Sequence, residues 1–404
     1  MRVDGRKYVL PVLLVCLSLV VSLLIAEMAV RRFWPAHRGS RSHNKLFVEH
    51  HTLLGWTKHS NFEGIHRTAE YAITEKFNSR GIRGPEYSYA KKQNETRIMI
   101  LGDSFAEGYC VEFDDLFSES LKAHLNQQKT KYYEVINTGT GGWSTDQEYL
   151  FFVTEGFKYR PDIVMLLFYH NDVWPNNQST YWRGGKPLFK IESNELVLSN
   201  TPVPKPHPRK PRSWNRRVGR WLKDNSDLYC LSQKAMEEAA PMVRHLMASV
   251  AVQSNSSRPC RELPDRWVVF YRNPESGAID RAWEITDRLL VELRNEVEKV
   301  HATLIIVNVP WQATVYPSEW RDFVSKYCLD PKKWDLDQPR RRLAEFCKQE
   351  GILWYDLTEP LREYARSLQS QGKRIYFPYD GHWTPIGQER VGQLLARYLQ
   401  HKGL

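Results

Sequence analysis

Residues 162-DIVMLLFY-169 decide the fold: the seven positions after Asp162 are all apolar or aromatic. A strand without polar alternation belongs to a sheet covered on both faces. Outward from it, Thr96–Leu101 (TRIMIL), Glu134–Asn137 (EVIN), Thr303–Val309 (TLIIVNV) and Ile352–Asp356 (ILWYD) read as further strands. Between them, Asp114–Asn126 carries Leu116, Phe117, Leu121 and Leu125 at helical spacing, with acidic residues at its start. A glycine turn at Gly139–Gly142 leads into a helix opened by Ser144 or Thr145, with Gln147 and Glu148 placed as capping-box partners. Further helices are predicted at Ala282–Val300, at Pro339–Gln349 and from Pro385 to about Gln400. Strands alternating with such helices predict an α/β fold, a three-layer α/β/α parallel sheet with right-handed crossovers.

The rest of the 404 residues surrounds this core. Tyr8–Ala26 is a run of 19 uncharged, mostly aliphatic residues, about 28 Å long as a helix and so about one bilayer core. It is long for a signal peptide and no A-x-A site closes it, which favours an uncleaved N-terminal transmembrane anchor over residues 1–32. Arg31, Arg32, Arg38, Arg41 and Lys45 outnumber the basic residues before the run, Arg2, Arg6 and Lys7. By that count alone the downstream domain is cytoplasmic. Residues 33–93 lack a clear period and read as a connecting extension. The core divides into 94–174 and 282–404 around a large insertion, 175–281, which contains the Pro- and Arg/Lys-rich stretch Thr201–Arg217 and a partly helical region near Leu231–Val250. The hydrophobic share, 42%, excludes global disorder, and no repeat points to a solenoid. The net charge of +10 is scattered along the chain and implies no nucleic-acid partner. Six cysteines form no C-x-x-C pair, and no Cys/His cluster has zinc spacing, so no metal is expected. Five lie outside the apolar run, and an odd number cannot all pair.

In open α/β sheets ligands bind beyond the carboxyl ends of the strands, and four polar motifs fall there. Gly102-Asp103-Ser104 follows the first strand. A serine at that place holds its hydroxyl at the sheet edge and at a helix N-terminus, and it equally serves as a plain helix N-cap. Asn137-Thr138-Gly139-Thr140-Gly141-Gly142 turns backbone N–H groups towards a ligand, or is only a tight turn. It lacks G-x-G-x-x-G spacing, so no dinucleotide cofactor is expected. Tyr169-His170-Asn171-Asp172 offers an Asn amide to a developing negative oxygen, or an Asx-turn. Asp380-Gly381-His382 places a carboxylate within reach of a histidine Nδ1, which leaves Nε2 free to take a serine proton.

The order strand-Ser, Gly turn, strand-Asn and C-terminal Asp-His resembles the SGNH (GDSL-like) hydrolase superfamily. The resemblance implies Ser104 as nucleophile, Gly142 and Asn171 as oxyanion donors, and Asp380 and His382 as the acid–base pair. Two features depart from the commoner pattern: Tyr169 stands where a Gly precedes the Asn, and Asp380-x-His382-Trp383 replaces Asp-x-x-His. The second is similar to the branch that includes the alginate O-acetyltransferases. The implied function is a membrane-anchored serine esterase or O-acyltransferase acting on acyl esters, acetyl above all, of a glycan. It would need no cofactor, and its catalytic domain would be extracytoplasmic against the charge count. A purely hydrolytic lipid or carbohydrate esterase shares every one of these residues. A non-catalytic glycan-binding protein retaining the fold is the reading from another class. Trp143, Trp174, Trp182 and Trp383 lie near the motif loops as candidate sugar platforms, with core packing as their other use.

Overall fold

The computed structural model describes residues 6–33, 47–68, 70–127, 131–206, 214–232, 235, 260–270 and 277–404. They group into two compact units. One lies within Met1–Ser42, Arg67–Tyr71 and Pro208–Pro259, the other within His43–His66, Ala72–His207 and Cys260–Leu404. Most of the expected helix near Leu231–Val250 falls outside the described residues.

The larger unit is built on five parallel strands, β1 (Glu95–Gly102), β2 (Tyr132–Asn137), β3 (Ile163–Tyr169), β4 (Thr303–Val309) and β5 (Leu353–Asp356), in the order β5-β4-β3-β1-β2. Side chains on a strand alternate between faces, and both faces here are apolar. Ile98, Ile100, Met165, Leu167, Ile305 and Val307 enter one buried cluster with Phe117, Leu121, Leu361 and Leu395. Met99, Leu101, Val164, Leu166, Leu304 and Ile306 enter the other with Phe152, Leu289, Leu293 and Leu343. The helices behind these contacts are Phe117–Asn126, Thr358–Ser367 and Pro385–Lys402 on one face. On the other lie Thr145–Thr154, Gly277–Lys299 and Gln338–Glu350. The expected three-layer α/β/α fold is therefore present. Ser144 is the N-cap of its helix, and the Gln147 side chain accepts from the Ser144 N–H at 3.3 Å.

Residues 47–92 are more than a connection. They form antiparallel hairpins, Val48–His51 with Gly55–Lys58 and Glu63–Arg67 with Ala72–Lys76, and bury Leu54, Trp56, Ile82 and Tyr87 in the core. They also bury charge. Lys58, 3% exposed, pairs with Glu107, equally buried. The Arg83 guanidinium donates to the carbonyls of Glu107 (3.3 Å), Gly108 (2.8 Å) and Val111 (2.6 Å). His66 Nδ1 lies 3.0 Å from the Tyr109 carbonyl. The insertion contributes two small hairpins, Thr180–Tyr181 with Gly184–Gly185 and Leu188–Glu192 with Glu195–Ser199. A disulfide joins Cys260 to Cys328.

In the smaller unit, Leu13–Phe33 within the helix Arg6–Phe33 has a mean hydropathy of 2.6 and is long and apolar enough to cross a membrane.

Removing one partner of a buried ion pair leaves an uncompensated charge, at a cost of about 3–5 kcal/mol. Lys58→Met is expected to lower the unfolding free energy by about that amount. Glu107→Leu in the same chain should restore only part of the loss, because it also orphans a backbone N–H described below. Urea denaturation of the two variants checks this, and a loss within about 0.5 kcal/mol would show that the pair is not structural.

Candidate active site

The site grows from the end of β1. Gly102 (φ +149°) turns the chain, and Asp103 caps the short helix Ser104–Glu107 by accepting from the Phe105 N–H at 2.8 Å. Ser104 thus starts a helical turn at the sheet edge. Its Oγ lies 2.8 Å from His382 Nε2, and His382 Nδ1 lies 2.7 Å from Asp380 Oδ1. Serine, imidazole and carboxylate form one hydrogen-bonded chain, with Ser104 and His382 278 residues apart in sequence. Burial pushes the imidazole pKa down, but the Asp380 carboxylate and, behind it, Asp103 outweigh burial and hold His382 above 6.5. The imidazole packs against Phe105, with ring centroids 4.5 Å apart. The following Trp383 is wholly buried against Phe105 and Phe117, which fixes the loop that carries His382.

The other two expected residues line the same cavity, of about 330 Å³, together with Ser104, Asp380 and His382. Gly142 has φ +78°, and a Cβ there would lie 2.7 Å from the Trp182 ring, so this position excludes a side chain twice over. Its neighbour Gly141 donates its N–H to Glu107 Oε2 at 2.5 Å and accepts from Trp56 Nε1 at 3.2 Å. Asn171 donates one amide N–H to Asp103 Oδ2 at 3.1 Å. An amide carries two N–H groups, so a second remains for a ligand. Asp172 and Glu148 are wholly buried; burial first, then the neighbouring carboxylates (Asp103 and Asp146 for Glu148; Glu148, Asp103 and Asp146 for Asp172), pushes both well above the usual carboxylate range.

Sequence reasoning gave no role to several groups that the structure brings here. The Tyr109 hydroxyl donates to the Asp380 carboxylate at 3.2 and 3.3 Å and lies 3.0 Å from His382 Nδ1. Asp103 was visible only as part of a motif, yet it joins the serine turn to the asparagine turn. Of the four tryptophans singled out, only Trp182 lines the cavity. Trp143 and Trp383 are buried in the core and Trp174 packs against it. The cavity wall is completed by Tyr181, Trp267 and Trp311, with the exposed Arg266 beside them. No residue pattern marks these positions, since they come from the insertion and from the loop after β4. Among the described residues no group of three or more His, Cys, Asp or Glu is arranged to hold a metal ion.

Residues 265–404 match the family model described as the SGNH hydrolase-like domain of acetyltransferase AlgX, in line with the resemblance of the motifs. That span contains Asp380 and His382 but not Ser104, Gly142 or Asn171. Solved structures similar to this chain include the lipase/acylhydrolase from Enterococcus faecalis, 12% identical with a TM-score of 0.38, covering 76% of this chain and 96% of that one. A mutant of the acetyl-xylooligosaccharide esterase Axe2 from Geobacillus is 11% identical with a TM-score of 0.38, covering 75% and 93%. A GDSL-like lipase from Bacteroides thetaiotaomicron is 11% identical with a TM-score of 0.36, covering 78% and 93%. No curated protein matches the chain.

An NMR titration of His382 should give a midpoint above 6.5 in the free protein. In Asp380→Asn the attraction is gone and burial dominates, so the midpoint should fall below the wild-type value. An unchanged midpoint would mean that Asp380 does not set the state of this imidazole.

Proposed function

We propose that the chain is a serine-dependent O-acyltransferase or esterase that cleaves acyl, chiefly acetyl, esters of a glycan. The observation that carries this reading is the Ser104–His382–Asp380 chain opening into a walled cavity. Ser104 is the nucleophile. His382 Nε2 takes the hydroxyl proton as Oγ bonds to the ester carbonyl carbon, and Asp380 steadies the imidazolium through Nδ1–H. The negative oxygen of the tetrahedral intermediate is held by the Ser104 and Gly142 N–H groups and the second Asn171 N–H. Collapse expels the alcohol, which takes the proton from His382 and leaves an acyl-serine. Water or a sugar hydroxyl then gives its proton to His382 and attacks the acyl carbon, releasing Ser104. Hydrolysis and transfer share every step up to that point.

A glycan is favoured by the walls of the cavity. Tyr181, Trp182, Trp267 and Trp311 line the same cavity as Ser104 and offer aromatic rings of the kind that stack on sugars. We read the apolar run Tyr8–Ala26 of the helix Arg6–Phe33 as a single membrane span with the catalytic domain extracytoplasmic. The Cys260–Cys328 bond supports that side, since disulfides persist in oxidising compartments, against the basic residues that follow the span.

Turnover of p-nitrophenyl acetate by the full chain in detergent tests the chemistry. Ser104→Ala should lower kcat/KM by at least about 10³-fold, and Asn171→Ala should lower kcat by about 10²–10³-fold. Because the base must be neutral, wild-type turnover should fall as pH drops through the raised His382 pKa, placing the acid limb above 6.5. Background rates in folded wild type and Ser104→Ala alike would overturn the esterase reading.

The orientation has its own check. In protein alkylated before any reduction, Cys260 and Cys328 should resist maleimide and react only after a reductant is added. Ready reaction of both in untreated cells would place the domain on the reducing side.

A further inference from the structure

The smaller unit contains a feature that ester chemistry does not use. The helix Trp214–Asn225 (WNRRVGRWLKDN) has four basic residues, Arg216, Arg217, Arg220 and Lys223, against one acidic residue, Asp224. At helical spacing Trp214, Val218, Trp221 and Leu222 share one sector of about 100°, and the four basic positions fall outside it. Trp214 is 74% exposed and Trp221 62%. Two large aromatic rings on one exposed stripe of a cationic helix call for a covering surface.

Hydrogen bonds say what level that stripe occupies. Arg31 Nη2 donates to the Asn225 carbonyl at 2.7 Å, one of the orphan acceptors at the end of the helix. Glu27 accepts from the Ser226 hydroxyl at 2.7 Å, the Asp227 N–H at 2.9 Å and the Leu228 N–H at 3.0 Å. These are the unsatisfied first donors of the next helical segment, residues 227–232. Arg31 Nε closes the knot on Glu27 at 2.6 Å. Glu27 is also the first charged residue after the apolar run Tyr8–Ala26. Where that run crosses a bilayer, Glu27 and Arg31 emerge at the headgroups, and the end of Trp214–Asn225 is tied to that depth.

The geometry points to Trp214–Asn225 as an interfacial helix whose partner is an anionic lipid surface, the same membrane that the apolar run Tyr8–Ala26 of the helix Arg6–Phe33 crosses. This rests on the proposed reading of that run as a span. Tryptophan settles at the headgroup level with its ring in the acyl boundary. Cationic positions on the remainder of such a helix face the negative headgroups, the composition of helices that lie in the interface plane. A protein partner would satisfy the aromatic stripe as well, but it would not account for the tie to the first charged residue after the apolar run.

The test uses the full chain reconstituted in phosphatidylcholine vesicles, with and without phosphatidylglycerol, and lipids brominated either near the headgroup or at the chain ends. The signal is the tryptophan fluorescence of wild type minus that of Trp214→Tyr/Trp221→Tyr, so that the other tryptophans cancel. The expected result is a difference signal quenched by the shallow bromines, at least about twofold more than by the deep ones, and more strongly when phosphatidylglycerol is present. A difference signal that no brominated lipid quenches overturns the proposal, as does one quenched equally with and without the anionic lipid. Flotation of the vesicles after alkaline extraction separates the two levels. Protein that floats with an unquenched signal refutes the interfacial helix alone, whereas protein that does not float refutes the span and the helix with it. Arg216→Glu/Arg220→Glu, which keeps both tryptophans, should lose the gain from phosphatidylglycerol while still floating.

Discussion

Asp103 and Glu107 flank the helical turn that starts at Ser104; both are buried, and each holds a different loop to the serine. Asp103 accepts from the Phe105 N–H and the Asn171 amide, so the end of β1 and the end of β3 are tied through one carboxylate. Glu107 accepts from the Gly141 N–H and pairs with Lys58, so the glycine loop after β2 and the N-terminal hairpin are tied through the other. Three strand ends are thereby registered on one short helix. Remove either carboxylate and the loops keep their strands but lose their common reference.

Such an arrangement has a desolvation cost, which explains why residues 47–92 are folded against the core. A buried carboxylate needs donors or a cation, and the segment from Glu107 to Val111 also exposes carbonyls that no regular element satisfies. Lys58 answers Glu107, and the Arg83 fork answers the carbonyls of Glu107, Gly108 and Val111. Asp103 is treated differently. Burial raises its pKa, and the cationic group that acts on it in the other direction is His382, which Asp103 in turn holds towards its charged form. On the proposed chemistry, the imidazolium that forms when Ser104 attacks sits within reach of two carboxylates, Asp380 directly and Asp103 behind it, and Tyr109 braces the first.

The core was legible because its strands are apolar on both faces, so hydropathy alone found β1 to β5 within two residues at each end. The motifs at the strand ends followed from that placement, which is why Ser104, Gly142, Asn171, Asp380 and His382 converge on one cavity although each was ambiguous alone. What was not legible has a common physical cause. Reading burial from hydropathy assumes that charged residues face water, and Lys58, His66, Glu75 and Arg83 do not. Their segment consequently looks like linker. Of the tryptophans near the motifs, Trp143 and Trp383 take the core-packing use, while Trp267 and Trp311 reach the cavity from elsewhere in the chain.

Gly142 shows how the insertion enters the chemistry. Its positive φ would already disfavour a side chain, but the 2.7 Å approach of the Trp182 ring to its missing Cβ adds a second, independent reason. The ring that closes over this glycine belongs to the 180–185 hairpin, half exposed and stacked by Arg183 at 4.2 Å. On the proposed glycan reading, a sugar stacked on Trp182 would press on the backbone whose N–H is proposed to receive the oxyanion. Binding away from the ester and alignment of the oxyanion donor then share one contact. Remote binding energy spent through such a contact appears in the chemical step rather than in affinity alone. That coupling needs the insertion: the five-stranded core and its loops supply the serine, the histidine, the asparagine and Trp311, whereas the ring over Gly142 comes from residues 180–185.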